Sequence, residues 1–129
     1  KFTVIVGNSF GAGNYAMAGR AYDPRLILAW PTAEIAVMGG DQAAKTMVQI
    51  KVRQLEKKGE EISDELKEEL EEKMRSSYSE QTKPMYAAAR LWIDEIIDPT
   101  DTRQWLSQGL TAANQNPEMP RFNPGAIQT

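Results

Sequence analysis

Seven consecutive positions, Gly7-Asn8-Ser9-Phe10-Gly11-Ala12-Gly13, constrain this chain more than any other segment, because three glycines stand between an apolar run and a stretch of small residues. Phe2-Thr3-Val4-Ile5-Val6 is β-branched and apolar, the composition of a buried and central strand. Asn14-Tyr15-Ala16-Met17-Ala18-Gly19 has helical character. The order predicts a strand, a glycine turn and a short helix. Glycine weakens regular elements through its backbone entropy, so this density of glycine needs a reason. One reason is chemical. The first N–H groups of a helix have no intrahelical acceptor and lie at the positive end of its dipole. Bare backbone there can donate to an oxygen that carries or develops negative charge, as in an oxyanion hole. Taken alone, the turn is read equally well as a tight, closely packed connection.

The residue inventory narrows the chemistry. Histidine and cysteine are both absent from the 129 residues. That removes imidazole bases, thiolate nucleophiles, disulfides and Cys/His zinc sites together, so no metal is expected in this chain. A net charge of −3, spread over both signs, offers no basic face for nucleic acid. No apolar run approaches the roughly 20 residues of a membrane-spanning helix, so neither nucleic acid nor membrane is expected as a partner. Because the sequence opens directly on a strand, we expect it to be a fragment of something longer.

Further along, Tyr22-Asp23-Pro24 signals a turn, and Leu26-Ile27-Leu28-Ala29-Trp30 reads as a buried strand stopped by Pro31. Ala33–Met38 reads as a short strand ending at Gly39-Gly40. From Asp41, read as an N-cap, Ala44, Val48, Val52 and Leu55 recur at helical spacing up to Gly59. Ser63 opens a second helix with Leu66, Leu70 and Met74, and residues 41–77 are predicted to form a charged helical hairpin projecting into solvent. Pro84 starts a helix through Leu91, Ile93–Ile97 reads as a strand, and Thr100 or Asp101 caps a last helix with Trp105, Leu106, Leu110 and Ala113 on one face. The tail from Asn114 reads as irregular. Alternating strands and helices predict an α/β domain.

Competing motifs are weaker. Gly11-x-Gly13-x-x-Ala16 matches a permissive dinucleotide fingerprint, but the following helix is cut at Gly19 and Pro24, and the next strand ends Trp30-Pro31 instead of in an acid. The carboxylate pairs Asp94-Glu95 and Glu60-Glu61 point to opposite faces if extended, so surface solvation or local capping is expected of both. Trp30, Trp92 and Trp105 are expected in the core.

Three strings then carry a resemblance to a known family. Residues 7–25, GNSFGAGNYAMAGRAYDPR, residues 30–44, WPTAEIAVMGGDQAA, and residues 87–103, AAARLWIDEIIDPTDTR, resemble successive signatures of the C-terminal half of carboxyltransferase (beta) subunits of biotin-dependent acyl-CoA carboxylases. The resemblance implies a crotonase-like (ClpP/crotonase) fold, with this chain as the carboxybiotin-facing C-terminal domain over residues 1–129. It implies biotin on a separate carrier domain as cofactor, an acyl-CoA substrate, and partnership with the N-terminal half of the same subunit, with a biotin carboxylase or carrier subunit and with further copies in a homo-oligomer. The N–H groups of Ala12 and Gly13 would stabilise the biotin enolate left when carboxybiotin releases carbon dioxide, and the freed biotin nitrogen would take the substrate's α-proton. Gly11 and Asn14 would flank the carboxybiotin, with Phe10, Gly39 and Gly40 as further pocket residues. The implied location is the cytoplasm in a bacterium or the mitochondrial matrix in a eukaryote.

The Asn8–Asn14 string resembles the methylcrotonyl-CoA branch more than the propionyl-CoA branch. Two alternatives stand beside carboxylation of the α- or γ-carbon: a decarboxylase subunit of the glutaconyl-CoA type, and a non-catalytic assembly module docking through the hairpin.

Overall fold

The computed structural model describes residues 1–59, 63–116, 118, 119 and 121. They divide into two compact units, one made of residues 1–37 and 83–129 and the other of residues 38–82.

The first unit is built on two small parallel sheets. Strands β1 (Phe2–Ile5), β3 (Leu26–Ala29) and β5 (Glu95–Ile96) form one sheet in the order β1-β3-β5, and β2 (Asn8–Phe10) pairs with β4 (Glu34–Ala36) in the other. β3 is central and buried on both faces, with Leu28 and Ala29 at 0% exposure, as the continuous apolar run predicts for a parallel strand. β1, which reads as central in the sequence, is an edge strand of this sheet with only Ile5 buried. Ile5, Ile27, Ala29, Ala33, Ile35, Ala87 and Ile93 form the core, with Ala88, Trp92 and Ile96 packed against it. Fully burying a side chain such as Ile27 or Leu28 stabilises the fold by about 1.5–3 kcal/mol.

The expected glycine turn is partly strand. The chain leaves β1 at Val6-Gly7, and Asn8, Ser9 and Phe10 pair with Glu34, Ile35 and Ala36. The partner lies 26 residues downstream, so local composition does not reveal it. Helix α1 accordingly begins at Gly11 and ends at Ala16, earlier than the predicted Asn14–Gly19 segment. A 3-10 turn, Arg20–Tyr22, leads into β3.

After Thr82, Pro84 occupies the first turn of α4 (Pro84–Ala88). This helix stops short of the expected Leu91, because Leu91 adopts a left-handed φ of 59° and its N–H and that of Trp92 fold back to Ala88 and Ala87. Only Glu95 and Ile96 of the predicted Ile93–Ile97 strand lie on the ladder, extended at either end by Asp94 N–H to Ile27 O and Ile97 N–H to Ala29 O. A second 3-10 turn, Pro99–Asp101, precedes the last helix, Thr102–Gln115, which we label α5. Asp101 is the N-cap residue of α5, as expected, and Asp98 caps the 3-10 turn before it. Asp98 accepts from the Thr100 N–H at 2.8 Å, while Asp101 makes no side-chain cap bond.

The packed face of α5 also differs from the prediction. Trp105, Leu106 and Ala113 are half-buried, but Leu110 is 53% exposed and Gly109 takes its place. A Cβ on Gly109 would lie 2.9 Å from the Phe2 ring, which fills the space a side chain would need. None of the tryptophans is fully buried. Trp92 packs edge-on against Tyr86, and Trp30 donates to the Thr102 hydroxyl at 3.0 Å. The tail expected to be irregular begins after Gln115, and part of it, like Glu60 and Glu61, lies outside the described residues.

In the second unit, α2 (Gly40–Glu56) and α3 (Asp64–Thr82) pack on each other. Ala44 and Val48 are buried and Val52 and Leu55 half-buried along the predicted stripe. Gly39, extended at ψ 148°, is the N-cap in place of Asp41, which sits in the first turn and pairs with Arg75 at 3.1 Å. Ser63 accepts from Leu66 N–H at 3.3 Å, the expected cap of α3. The helices run to Thr82 instead of residue 77, since nothing interrupts α3 until Pro84 forces Lys83 into an extended conformation.

Three outcomes follow for stability. Gly19→Ala places a Cβ 2.6 Å from the Asn14 carbonyl oxygen and should cost about 1–3 kcal/mol in urea unfolding. Leu91→Gly relieves a left-handed side-chain clash at an exposed position and should stabilise by about 0.5 kcal/mol after the entropy of glycine is counted. Bonds from the Thr100 hydroxyl and N–H hold the Asp98 carboxyl below its ordinary range, so its stabilisation is full at neutral pH and is lost as pH falls through that lowered value. Asp98→Asn should flatten the acid limb of a stability profile followed by circular dichroism.

Candidate functional site

Helix α1 starts without a side-chain cap, as α2, α4 and α5 also do, and differs from them in opening on a left-handed glycine. Phe10, the last residue of β2, is its N-cap, extended at φ −120° and ψ 146°, and makes no side-chain cap bond. Serine, threonine, aspartate or asparagine at this position would satisfy one of the orphan N–H groups, and forgoing such a cap costs about 1 kcal/mol. The first turn also lacks any acidic side chain. The amides of Gly11, Ala12 and Gly13 are therefore left with neither an intrahelical acceptor nor a side-chain cap.

Each residue of the turn has a physical account. Gly11 has φ 54°, and a Cβ there would stand 3.0 Å from the Val37 carbonyl oxygen, so both conformation and space call for glycine. A left-handed residue followed by helical ones turns successive N–H groups toward one side, the geometry of an anion-binding nest. Ala12 and Gly13 are exposed. A Cβ on Gly13 would meet nothing within 4 Å, so packing inside this chain does not explain why that position is bare. Asn14 is half-buried, and its Oδ1 accepts from the Ser9 hydroxyl at 2.9 Å, tying the helix back to β2.

Phe10, Gly11, Ala12, Gly13 and Asn14 are thus brought together on one short segment. Gly39 and Gly40 belong to the other compact unit, where they start α2. Among the described residues no group of three or more carboxylates could hold a metal ion, and no helix is long and apolar enough to cross a membrane.

One pairing escapes the sequence reading. Asp94 is not a bland surface carboxylate: it pairs with Arg20 Nη2 at 2.8 Å and accepts from the Ile27 N–H at 2.7 Å. Glu95, its neighbour, only accepts from Ile96 N–H. The two partners of Asp94 lie 74 and 67 residues away, and no local signal announces them.

Comparison with known proteins identifies the family of the chain. The carboxyl transferase domain family matches residues 1–125. A probable methylcrotonoyl-CoA carboxylase beta chain, mitochondrial, of Drosophila melanogaster is 49% identical over 90% of this chain and 20% of its own length. The biotin-dependent 3-methylcrotonyl-coenzyme A carboxylase beta1 subunit of Mycobacterium tuberculosis is 44% identical over 91% of this chain and 22% of its own. The chain therefore spans about a fifth of the length of these relatives. Among solved structures, the beta subunit of geranyl-CoA carboxylase from P. aeruginosa superposes with a TM-score of 0.74 at 36% identity, covering 99% of this chain and 26% of that one. Transcarboxylase 12S, solved with methylmalonyl-coenzyme A bound, superposes at 0.77 with 27% identity over 100% of this chain and 23% of that one. The chain shares the crotonase-like fold of these carboxyltransferase structures. A family match over nearly all 129 residues, joined to that fold, makes this chain a member of the carboxyl transferase domain family.

Proposed function

We propose that the chain forms the carboxybiotin-facing, C-terminal part of an acyl-CoA carboxyltransferase, and that it completes an active site only together with the other half of such a subunit. The observation that carries this reading is the start of α1, where left-handed Gly11 precedes the exposed, uncapped amides of Ala12 and Gly13. Biotin, carried on a separate domain, supplies the carboxyl group that is moved to the α- or γ-carbon of an acyl-CoA. The N–H groups of Ala12 and Gly13 hold its ureido oxygen and stabilise the negative charge that grows there. The fit is supported by the exposure of both residues and by the open space beside Gly13. Gly11 sets the direction of the donors through its left-handed backbone, while Phe10 and Asn14 flank them.

Preorganised donors suit this chain because it has no imidazole or thiol. In a site closed to water, losing one such donor costs about 2.7–4 kcal/mol of barrier, well above the roughly 1 kcal/mol that leaving the helix uncapped costs. Identity of 40–49% to methylcrotonyl-type chains, against 29% to a propionyl-CoA carboxylase beta chain, supports a substrate of the former class. The same reading brings a biotin carboxylase or carrier partner and a homo-oligomer, as the hexamer described for transcarboxylase 12S illustrates. It also implies the bacterial cytoplasm or the mitochondrial matrix, according to source, as in the relatives named mitochondrial.

Gly13→Pro in the full-length subunit removes one N–H and should lower carboxyl transfer by about 10²–10³-fold. Gly13→Ala keeps the N–H and meets nothing in the chain, so it should fold normally and lose less activity. Equal losses in both variants, or undiminished turnover in the proline variant, would sink the donor assignment.

A further inference from the structure

A helix of six residues does not hold its own direction. Resting on the donor reading above, we infer that Arg20 and Thr3 are positioning residues for carboxyl transfer, which fix the exit of α1 and thereby aim the N–H groups of Ala12 and Gly13.

The exit of α1 is bound tightly. Met17 N–H closes on Gly13 O at 3.1 Å, Gly19 N–H on Tyr15 O at 3.2 Å, and Gly19 lies so near the Asn14 carbonyl that a Cβ would not fit. Between them Ala18 adopts a left-handed φ of 62°. A non-glycine residue persists in that region only where its surroundings over-determine it. Here the Ala18 carbonyl accepts from the Thr3 hydroxyl at 2.8 Å, which fastens the exit to β1.

Arg20 fastens the same exit to the centre of the sheet. Its Nη2 donates to Asp94 Oδ1 at 2.8 Å and to the carbonyl of Leu91, a second left-handed residue, at 3.1 Å. Asp94 Oδ2 in turn accepts from the N–H of Ile27 in β3 at 2.7 Å. The Arg20 Nε is enclosed without an acceptor, which has a free-energy cost that a solubilising surface arginine does not incur. The guanidinium thus joins α1, the turn after α4 and β3 through one side chain. A displacement of about 1 Å in a donor can cost about 10²-fold in rate. Binding of the acyl-CoA, held by another part of the subunit in the proposed function, does not depend on this tie.

The test uses the full-length subunit assembled with its carboxylase partner. Arg20→Met should lower kcat by about ten- to a hundredfold while leaving KM for the acyl-CoA within about twofold. Arg20→Lys should recover part of the loss, because it restores the charge facing Asp94 but not the second bond to Leu91. Thr3→Val, nearly isosteric, should lower kcat several-fold with KM unchanged. Size exclusion and circular dichroism report folded, assembled enzyme. Wild-type kcat in Arg20→Met and Thr3→Val, or losses that only match the fraction of unassembled protein, would overturn the inference. Should Arg20→Met not assemble, Thr3→Val decides alone. Gly13→Pro, measured in parallel, separates the two ideas. If it is fully active, the donor reading has failed. If it is impaired while both positioning variants are normal, only the present inference has.

Discussion

The pairing of β3 between β1 and β5 is the interaction on which the first unit depends. Leu28 and Ala29 are wholly enclosed there, and both neighbours run parallel to β3. Parallel neighbours cannot be joined by a tight hairpin, so the chain must leave β1, cross over and return. The crossover from β1 to β3 contains β2, α1 and the 3-10 turn at Arg20. The turn at Gly11–Gly13, the proposed donor segment, is therefore part of a connection whose two ends the sheet holds.

That placement explains how a short helix can present a defined set of amides. β2 is held by β4, and the exit of α1 is held by Thr3 and Gly19. Between these anchors, left-handed backbone is confined to Gly11 and Ala18, of which only Ala18 is strained by it. A longer, well-capped helix would be more stable by itself, but its cap would occupy the amides that an external oxygen needs. The unfavourable cap and the left-handed residues are two parts of the same arrangement.

Much of this was legible in the sequence. The glycine string, the apolar run of β3 and the stripe of α2 are local patterns, and they placed the turn before the short helix, the central buried strand and the helical pair. The resemblance carried by residues 7–25, 30–44 and 87–103 pointed to the crotonase-like fold, which the solved relatives share. Readings failed where the partner lay far along the chain. The strand character of Asn8–Phe10 depends on β4, the substitution of Gly109 for Leu110 on α5 depends on the Phe2 ring, and the role of Asp94 depends on Arg20 and Ile27.

By itself, then, the sequence determined which side-chain chemistry is closed to the chain and where glycine leaves its backbone bare. Absence of histidine and cysteine, and glycine at positions 11 and 13, are properties of composition and order alone. Only the tertiary structure decided that α1 begins at Gly11 without a cap, and that its exit is tied to β1 and β3. The physical reason is the range of the forces involved. Conformational preference acts between near neighbours, whereas strand pairing and the Arg20–Asp94 bond join residues that meet only once the core has formed.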